Sequence, residues 1–201
     1  MRLILLATIL LGAFLTVNSQ QAPVSQALNE QQWEKLFSAL EAEDWEKSAE
    51  LAKQYLAKLK TDDAQKSMAR LRYMLLFSSA GKVTAGKMSY EELKKVVDPL
   101  VGTEVQLPYG KIIQDCHGNF GALCLTPKGS RDVTVASANQ TGTNIHAFVY
   151  TDLTGEIDSE ALLGKFGAVR GVVESIQYNP NQSKIWLMRV FLKDGSIELA
   201  P

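Results

Sequence analysis

The spacing of apolar residues changes near Gly102. Before this point, apolar residues recur every three or four positions, which is typical of amphipathic helices. After it, they alternate with polar residues or form short continuous runs, which is typical of strands. The sequence therefore predicts an α+β fold, in which an antiparallel helical bundle over 29–101 packs on a small antiparallel β-barrel or sandwich over 103–201.

Four helices are predicted in the first part, each from a start signal followed by an apolar stripe. The start signals are Asn29 with Gln32, Asp44, the run 61–63, and Ser89 with Glu92. Gly81 is the predicted end of the third helix, because glycine accepts the left-handed conformation that often follows a helix. The third helix is apolar nearly all round after Leu71, so we expect it to be the central helix.

The first two helices carry Trp33 and Leu36 early in the first and a small-residue run, 49–52, in the second. This arrangement resembles a tetratricopeptide repeat. The third and fourth helices resemble a degenerate second copy, with 81–87 inserted between them. The resemblance implies either a protein-binding groove or a scaffold that covers an apolar face of the β part.

The β part contains six predicted strands, separated by segments rich in turn-forming residues. The strands are 111–116, 120–126, 132–136, 144–151, 168–178 and 184–193. One or two helical turns are expected in 159–165. Asp194-Gly195 predicts a turn into a short final strand, 197–199.

Two segments, 148–156 and 168–173, resemble the strand, turn and glycine-containing strand of an oligonucleotide/oligosaccharide-binding fold. That fold binds ligands on one barrel face through aromatic and basic residues, and the present chain has one predicted strand more before the short helix. As a whole, the chain resembles exported bacterial proteins of unknown function that join a tetratricopeptide-like part to such a barrel. The formal net charge is −1 and no basic block is present, so nucleic acid is not an expected partner.

The last predicted hairpin has a second arm that is apolar on both faces. One face carries Trp186, Met188, Val190 and Leu192. The other face carries Ile185, Leu187, Arg189 and Phe191. Because both faces must be covered, the second set is a candidate interaction surface unless the helical part covers it. Arg170 and Glu174, four apart on the first arm, predict either an ion pair or polar contacts to a ligand.

The N-terminal segment 1–19 has the pattern of an export signal. Arg2 precedes the apolar run 3–17, and small or polar residues come after it. The run is shorter than the roughly 20 residues of a membrane span. The prediction is a cleaved signal followed by a flexible leader, 20–28, and a periplasmic or extracellular location with no membrane span after cleavage; an uncleaved anchor is the alternative.

Export makes a disulfide between Cys116 and Cys124 possible. The two residues flank a predicted turn, and a simple hairpin about that turn would not place them opposite each other. The alternative is two small buried apolar side chains.

The residues that could carry chemistry are few. Asp115, His117 and His146 form the one candidate polar cluster. It lacks the ligand spacing of a zinc site, and no activated nucleophile or phosphate-binding glycine loop is present. No catalytic, metal or cofactor site is therefore predicted, and no cofactor is expected.

These features predict an exported, non-enzymatic binding or interaction module with a protein or small-molecule partner. Two alternatives stay open. One is a small-molecule hydrolase that uses Asp115, His117 and His146, and the other is a carrier that binds a ligand or glycan through the β part.

Overall fold

The computed structural model describes residues 28–59, 64–114, 116, 118–126, 131–183 and 185–201. Within these residues the predicted α+β class is confirmed: five helices accompany one seven-stranded sheet. The helices are α1 (Glu30–Glu41), α2 (Trp45–Lys58), α3 (Gln65–Thr84), α4 (Tyr90–Val97) and α5 (Ser159–Leu162), and a 3-10 turn, Asp98–Leu100, comes directly after α4.

The predicted helix starts are confirmed where the structure describes them. Asn29 and Gln32 cap each other reciprocally at the start of α1. Asp44 accepts a hydrogen bond from the backbone of Lys47 at the start of α2. The pair Ser89 and Glu92 caps α4 in the same reciprocal manner as at α1. The start signal predicted at 61–63 lies outside the described residues, and α3 begins at Gln65.

The predicted end of the third helix at Gly81 is wrong, because α3 continues to Thr84. Gly81 is buried inside the helix, and a Cβ atom there would overlap the indole ring of Trp45 on α2. The glycine therefore allows two helices to approach closely. Local sequence could not distinguish this use of glycine from a helix stop.

The strands are β1 (Glu104–Gln106), β2 (Gly110–Ile113), β3 (Leu123–Leu125), β4 (Asp132–Ala138), β5 (Ile145–Leu153), β6 (Phe166–Tyr178) and β7 (Trp186–Leu199). Their order is β1-β6-β2-β3-β4-β5-β7, and β6 also pairs with β7, so the sheet closes in a ring. The predicted purely antiparallel arrangement needs correction, because β2 pairs with β3 and β5 pairs with β7 in parallel. Two strands can pair in parallel only if the chain returns to the same end of the sheet between them. The segments between β2 and β3 and between β5 and β7 make this return.

The predicted turn at Asp194-Gly195 is also wrong, because β7 runs through it to Leu199. Asp194 has a φ of 53° and the pairing register shifts at this level, which are features of a β-bulge. Gly195 packs so closely on Thr151 that a side chain at position 195 would overlap it. The bulge bends β7 while it pairs with both β5 and β6, and this bend helps to close the ring.

The helical part and the sheet share one core. Side chains of α3 and α4, among them Leu76 and Val97, belong to the same buried cluster as Val133 and Leu187 of the sheet. A smaller cluster joins α1, α2 and α3. The adjacent residues Leu187 and Met188 are both fully buried, so β7 is covered on both faces here, as its sequence predicts.

Cys116 and Cys124 form a disulfide, with Cα atoms 5.5 Å apart. The parallel pairing of β2 with β3 places Cys124 opposite Ile113, so the hairpin geometry that disfavoured the bond does not occur. Within the described residues, no helix has both the length and the apolar character needed to cross a bilayer.

Candidate ligand-binding cleft

An apolar cleft of about 430 Å³ lies between the helical part and the sheet. Its walls come from five separate segments: α1, α3, the β1–β2 connection, the β2–β3 connection and β4 with the turn after it. The largest lining side chains are Phe37, Tyr73, Met74, Phe77, Tyr109 and Phe120. A concave apolar site with a few polar groups is the usual form of a small-molecule site.

Helix α3 supplies the inner wall. Tyr73 and Phe77 lie one turn apart on this helix, and their rings stack with centroids 6.2 Å apart. Residues on its other faces, such as Leu76, belong to the core. The helix was predicted to be apolar nearly all round. Some of its apolar faces pack in the core, and another face lines the cleft.

Three large aromatic side chains remain exposed at the cleft. The exposed fractions are 43% for Phe37, 40% for Tyr109 and 44% for Phe120. Phe37 is held by stacking on Trp33, with ring centroids 5.7 Å apart. Exposed aromatic rings that converge on one concavity are typical of a binding site, because their burial is left for a ligand to complete.

Two hydroxyl groups meet inside the cleft. The hydroxyl of Tyr73 on α3 is hydrogen-bonded to that of Ser137 on β4, and both side chains are almost fully buried. Burial raises the pKa of Tyr73 to about 12, although the hydrogen bond with Ser137 acts in the opposite direction. The Tyr73 hydroxyl is therefore neutral at physiological pH, and either hydroxyl of the pair can be the donor.

At one end of the cleft, the turn between β4 and β5 is hydrogen-bonded to the helical part. The backbone N–H of Gln140 donates to Glu43 Oε1 at 2.6 Å, and its side-chain amide donates to the carbonyl of Glu41. These bonds join the sheet to the connection between α1 and α2. They leave Glu41 and Gln140 among the lining residues as the polar end of an otherwise apolar site.

Of the residues predicted to form an interaction surface at β7, some are buried and others are exposed. Leu187 is fully buried and so is not available to a partner, whereas Ile185 is 69% exposed. The guanidinium of Arg189 lies 5.0 Å over the ring of Trp186, and Phe191 stacks on Tyr150 with centroids 5.3 Å apart. Arg189 and Phe191 thus remain on a partly exposed aromatic surface, separate from the cleft.

The polar cluster is placed only in part. His146 is fully buried, and its ring lies 5.0 Å from Trp45 and 4.7 Å from Phe77 between centroids. Neither ring nitrogen has a hydrogen-bond partner among the described residues, and burial lowers the pKa of His146 to about 4. Asp115 and His117 lie outside the described residues. The imidazole is therefore a neutral part of the interface between helices and sheet.

A second, more polar cavity of about 380 Å³ lies beside the stacked rings of Tyr150 and Phe191. Carboxylates line it, and one of them, Asp152, is 3.6 Å from a guanidinium nitrogen of Arg131. In the part of the chain that is described, no group of three or more His, Cys, Asp or Glu residues is arranged to hold a metal ion.

The ion pair predicted between Arg170 and Glu174 does not form. Arg170 binds Glu104 of β1 through both carboxylate oxygens, and this half-buried pair further raises the pKa of Arg170. A register shift beside Glu174 leaves its side chain exposed at the second cavity. Glu104 of β1 pairs with Val172 of β6, so it lies diagonally across from Arg170, two residues along β6, and the spacing of residues in the sequence does not reveal this contact.

Comparison of the chain with protein-family models, with curated proteins and with solved structures finds no match. The site is thus assigned on its geometry. No local pattern marks the cleft in the sequence, since its lining residues lie between positions 37 and 140 on five separate segments.

Proposed function

We propose that the protein binds a small apolar molecule in the cleft between α1, α3 and β4. The observation that carries this proposal is a concavity of about 430 Å³ with aromatic walls, exposed aromatic rings and a buried hydroxyl pair. The volume falls within the range of roughly 300–1,000 Å³ that is usual for small-molecule sites. The proposed function is binding without catalysis, because the apolar walls and the hydroxyl pair are sufficient to hold a ligand.

The proposed setting is outside the cytoplasm. The export signal predicted in 1–19 and the Cys116–Cys124 disulfide support it, because disulfides persist in oxidising compartments. In a bacterium this setting is the periplasm or the extracellular space. A binding protein there would capture an apolar compound from water or carry it between membranes.

The finer architecture proposed is a tetratricopeptide-like set of helix pairs on a small barrel of the oligonucleotide/oligosaccharide-binding kind. The closed ring and the capped helices support it. In this arrangement the ligand sits at the junction of the two parts, and the helices act both as a cover for the sheet and as one wall of the site.

A polar ligand or glycan on the β part is the second candidate. The stacked rings of Tyr150 and Phe191 beside the second cavity favour it, since flat aromatic surfaces with carboxylates nearby suit polar ligands that also have apolar faces. The hydrolase alternative has less support, because the buried His146 has no access to a substrate in solvent.

A dye-binding experiment tests the principal proposal. Nile red is an uncharged apolar dye whose fluorescence rises in an apolar site. Ala138 lines the cleft, and Ala138→Phe is expected to weaken dye binding about tenfold or more by filling it. Ala136, two residues earlier on β4, does not line it, so Ala136→Phe is the matched control. Equal binding by both variants and the wild type would refute the proposal.

A further inference from the structure

We infer that the ligand of this cleft is uncharged and carries a hydrogen-bond acceptor that meets the Tyr73–Ser137 hydroxyl pair. The inference rests on the proposed function and adds the chemical class of the ligand: an apolar ketone, ether, ester or similar oxygen compound. Three observations carry it, namely the count of hydroxyl hydrogens, the position of the pair and the charges of the lining.

The first observation is an unmatched donor. Two hydroxyl groups bring two O–H hydrogens, and the bond between Tyr73 and Ser137 uses one of them. Among the described residues, neither oxygen makes another hydrogen bond. Whichever hydroxyl donates within the pair, the other keeps an O–H without an acceptor, and a buried donor of this kind is unfavourable until it is satisfied.

The second observation is where this donor lies. Tyr73 and Ser137 both line the cleft, yet their side chains are only 4% and 6% exposed. Their neighbours in the lining, Phe77 and Val135, are apolar. The unmatched O–H therefore lies in apolar surroundings where few waters compete, and a ligand oxygen placed there gains both a hydrogen bond and the burial of its apolar body.

The third observation is the charge of the lining. Glu41 is the one acidic side chain in the lining among the described residues, and no Lys, Arg or His residue of that part lines the cleft. A carboxylate ligand would lose its hydration without meeting a positive charge. The nearby base Arg70 lies 6.0 Å over the Tyr109 ring at the edge of the site, and the carboxylate of Glu198, which accepts from the Tyr109 hydroxyl, offsets its charge. The cleft thus favours a neutral ligand.

Three probes of equal chain length separate these points: decane, 2-decanone and decanoate, each used to displace Nile red. For the wild-type protein, 2-decanone is expected to bind about five- to tenfold more tightly than decane, because one net hydrogen bond is gained. Decanoate is expected to bind more weakly than 2-decanone. Equal affinity for decane and 2-decanone would overturn the acceptor, and tightest binding by decanoate would overturn the neutral class.

The double variant Tyr73→Phe/Ser137→Ala removes both hydroxyls and leaves no orphan group behind. It is expected to lose the preference for 2-decanone over decane, and the ratio of these two affinities within the variant is the readout. Ser137→Ala alone keeps the Tyr73 donor and is expected to keep the preference. A preference that survives in the double variant would overturn the inference, and the wild-type ratio remains a test even if that variant fails to fold.

The proposed function and the inference fail in different ways. If none of the probes displaces the dye and Ala138→Phe does not weaken dye binding, the cleft is not the site and the proposed function fails. If decane displaces the dye as well as 2-decanone does, the cleft binds apolar molecules and only the inferred acceptor is refuted.

Discussion

The imidazole of His146 lies edge-on to the indole of Trp45, with ring planes at 79° and centroids 5.0 Å apart. The histidine comes from β5 and the tryptophan from the first turn of α2, so this contact joins the sheet to the helical part. Phe77 of α3 lies on the same imidazole. The titratable ring is thus enclosed by apolar groups that only the folded protein brings together.

Stability is expected to fall with acidification because of this histidine. Burial lowers the pKa of His146 from 6.5 to about 4, so between these values the unfolded chain binds a proton that the folded chain does not. The free energy of unfolding should therefore decrease as pH falls from about 6.5, by on the order of 3 kcal/mol at pH 4. Urea denaturation at several pH values measures the change.

His146→Phe provides the control for this pH dependence, since it keeps an aromatic ring and cannot be protonated. Carboxylates with lowered pKa values, such as Glu198, also contribute to acid sensitivity and remain in both proteins. The variant should lose less stability than the wild type between pH 6.5 and 4. Identical pH profiles would show that His146 is not the source of the effect.

Gly81→Ala is expected to destabilise the protein, although alanine normally favours a helix interior by about 1 kcal/mol. The added methyl group would overlap the ring of Trp45, and overpacking of this kind costs about 1–3 kcal/mol. The free energy of unfolding in urea gives the result. In a Trp45→Leu background the same change should cost less, and a cost independent of residue 45 would contradict the close approach as its cause.

Glu104→Gln should cost about 1–3 kcal/mol, because it removes the charge that Arg170 binds through two hydrogen bonds in a half-buried position. Glu174→Gln is the matched control on the residue that spacing suggested as the partner. Its side chain is exposed, so a change within about 0.5 kcal/mol is expected. Thermal or urea unfolding of both variants decides between the two partners.

Removal of the disulfide by Cys116→Ala/Cys124→Ala should cost about 2–3 kcal/mol, as expected for a short closed loop. Unfolding of the wild type with added dithiothreitol should approach that of the variant. The variant itself should not respond to the reductant. A wild type that unfolds alike with and without dithiothreitol would mean that the bond contributes little.

The sequence predicted those features that depend on neighbours along the chain. Asn29 and Ser89 mark helix starts because a capping side chain bonds to a backbone only three residues away. Burial of β7 on both faces was also predictable, because a strand that is covered on both faces has a nearly continuous run of apolar residues. The three-residue β1 was missed because it is too short to show a period.

The features that depend on distant residues were not predictable in this way. Tyr73 and Ser137 lie 64 positions apart and meet only because α3 packs on the sheet. Phe37 belongs to the apolar stripe of α1, so its spacing indicates burial, yet it is half exposed at the cleft. The spacing of apolar residues predicts which face of a helix is apolar. It does not show whether that face is covered by the protein itself or by a ligand.

The pairing of β6 with β7 closes the sheet, and this limits how another chain could pair with its strands. In the described part of the chain, each strand except β1 has a partner on both sides, and β1 is three residues long. Stretches that have a partner on one side only are short, such as 175–178 of β6, so few backbone N–H and C=O groups are left for a foreign strand to extend the sheet. We therefore expect contacts of the sheet with other chains to be made mainly through side chains rather than by pairing of strand edges.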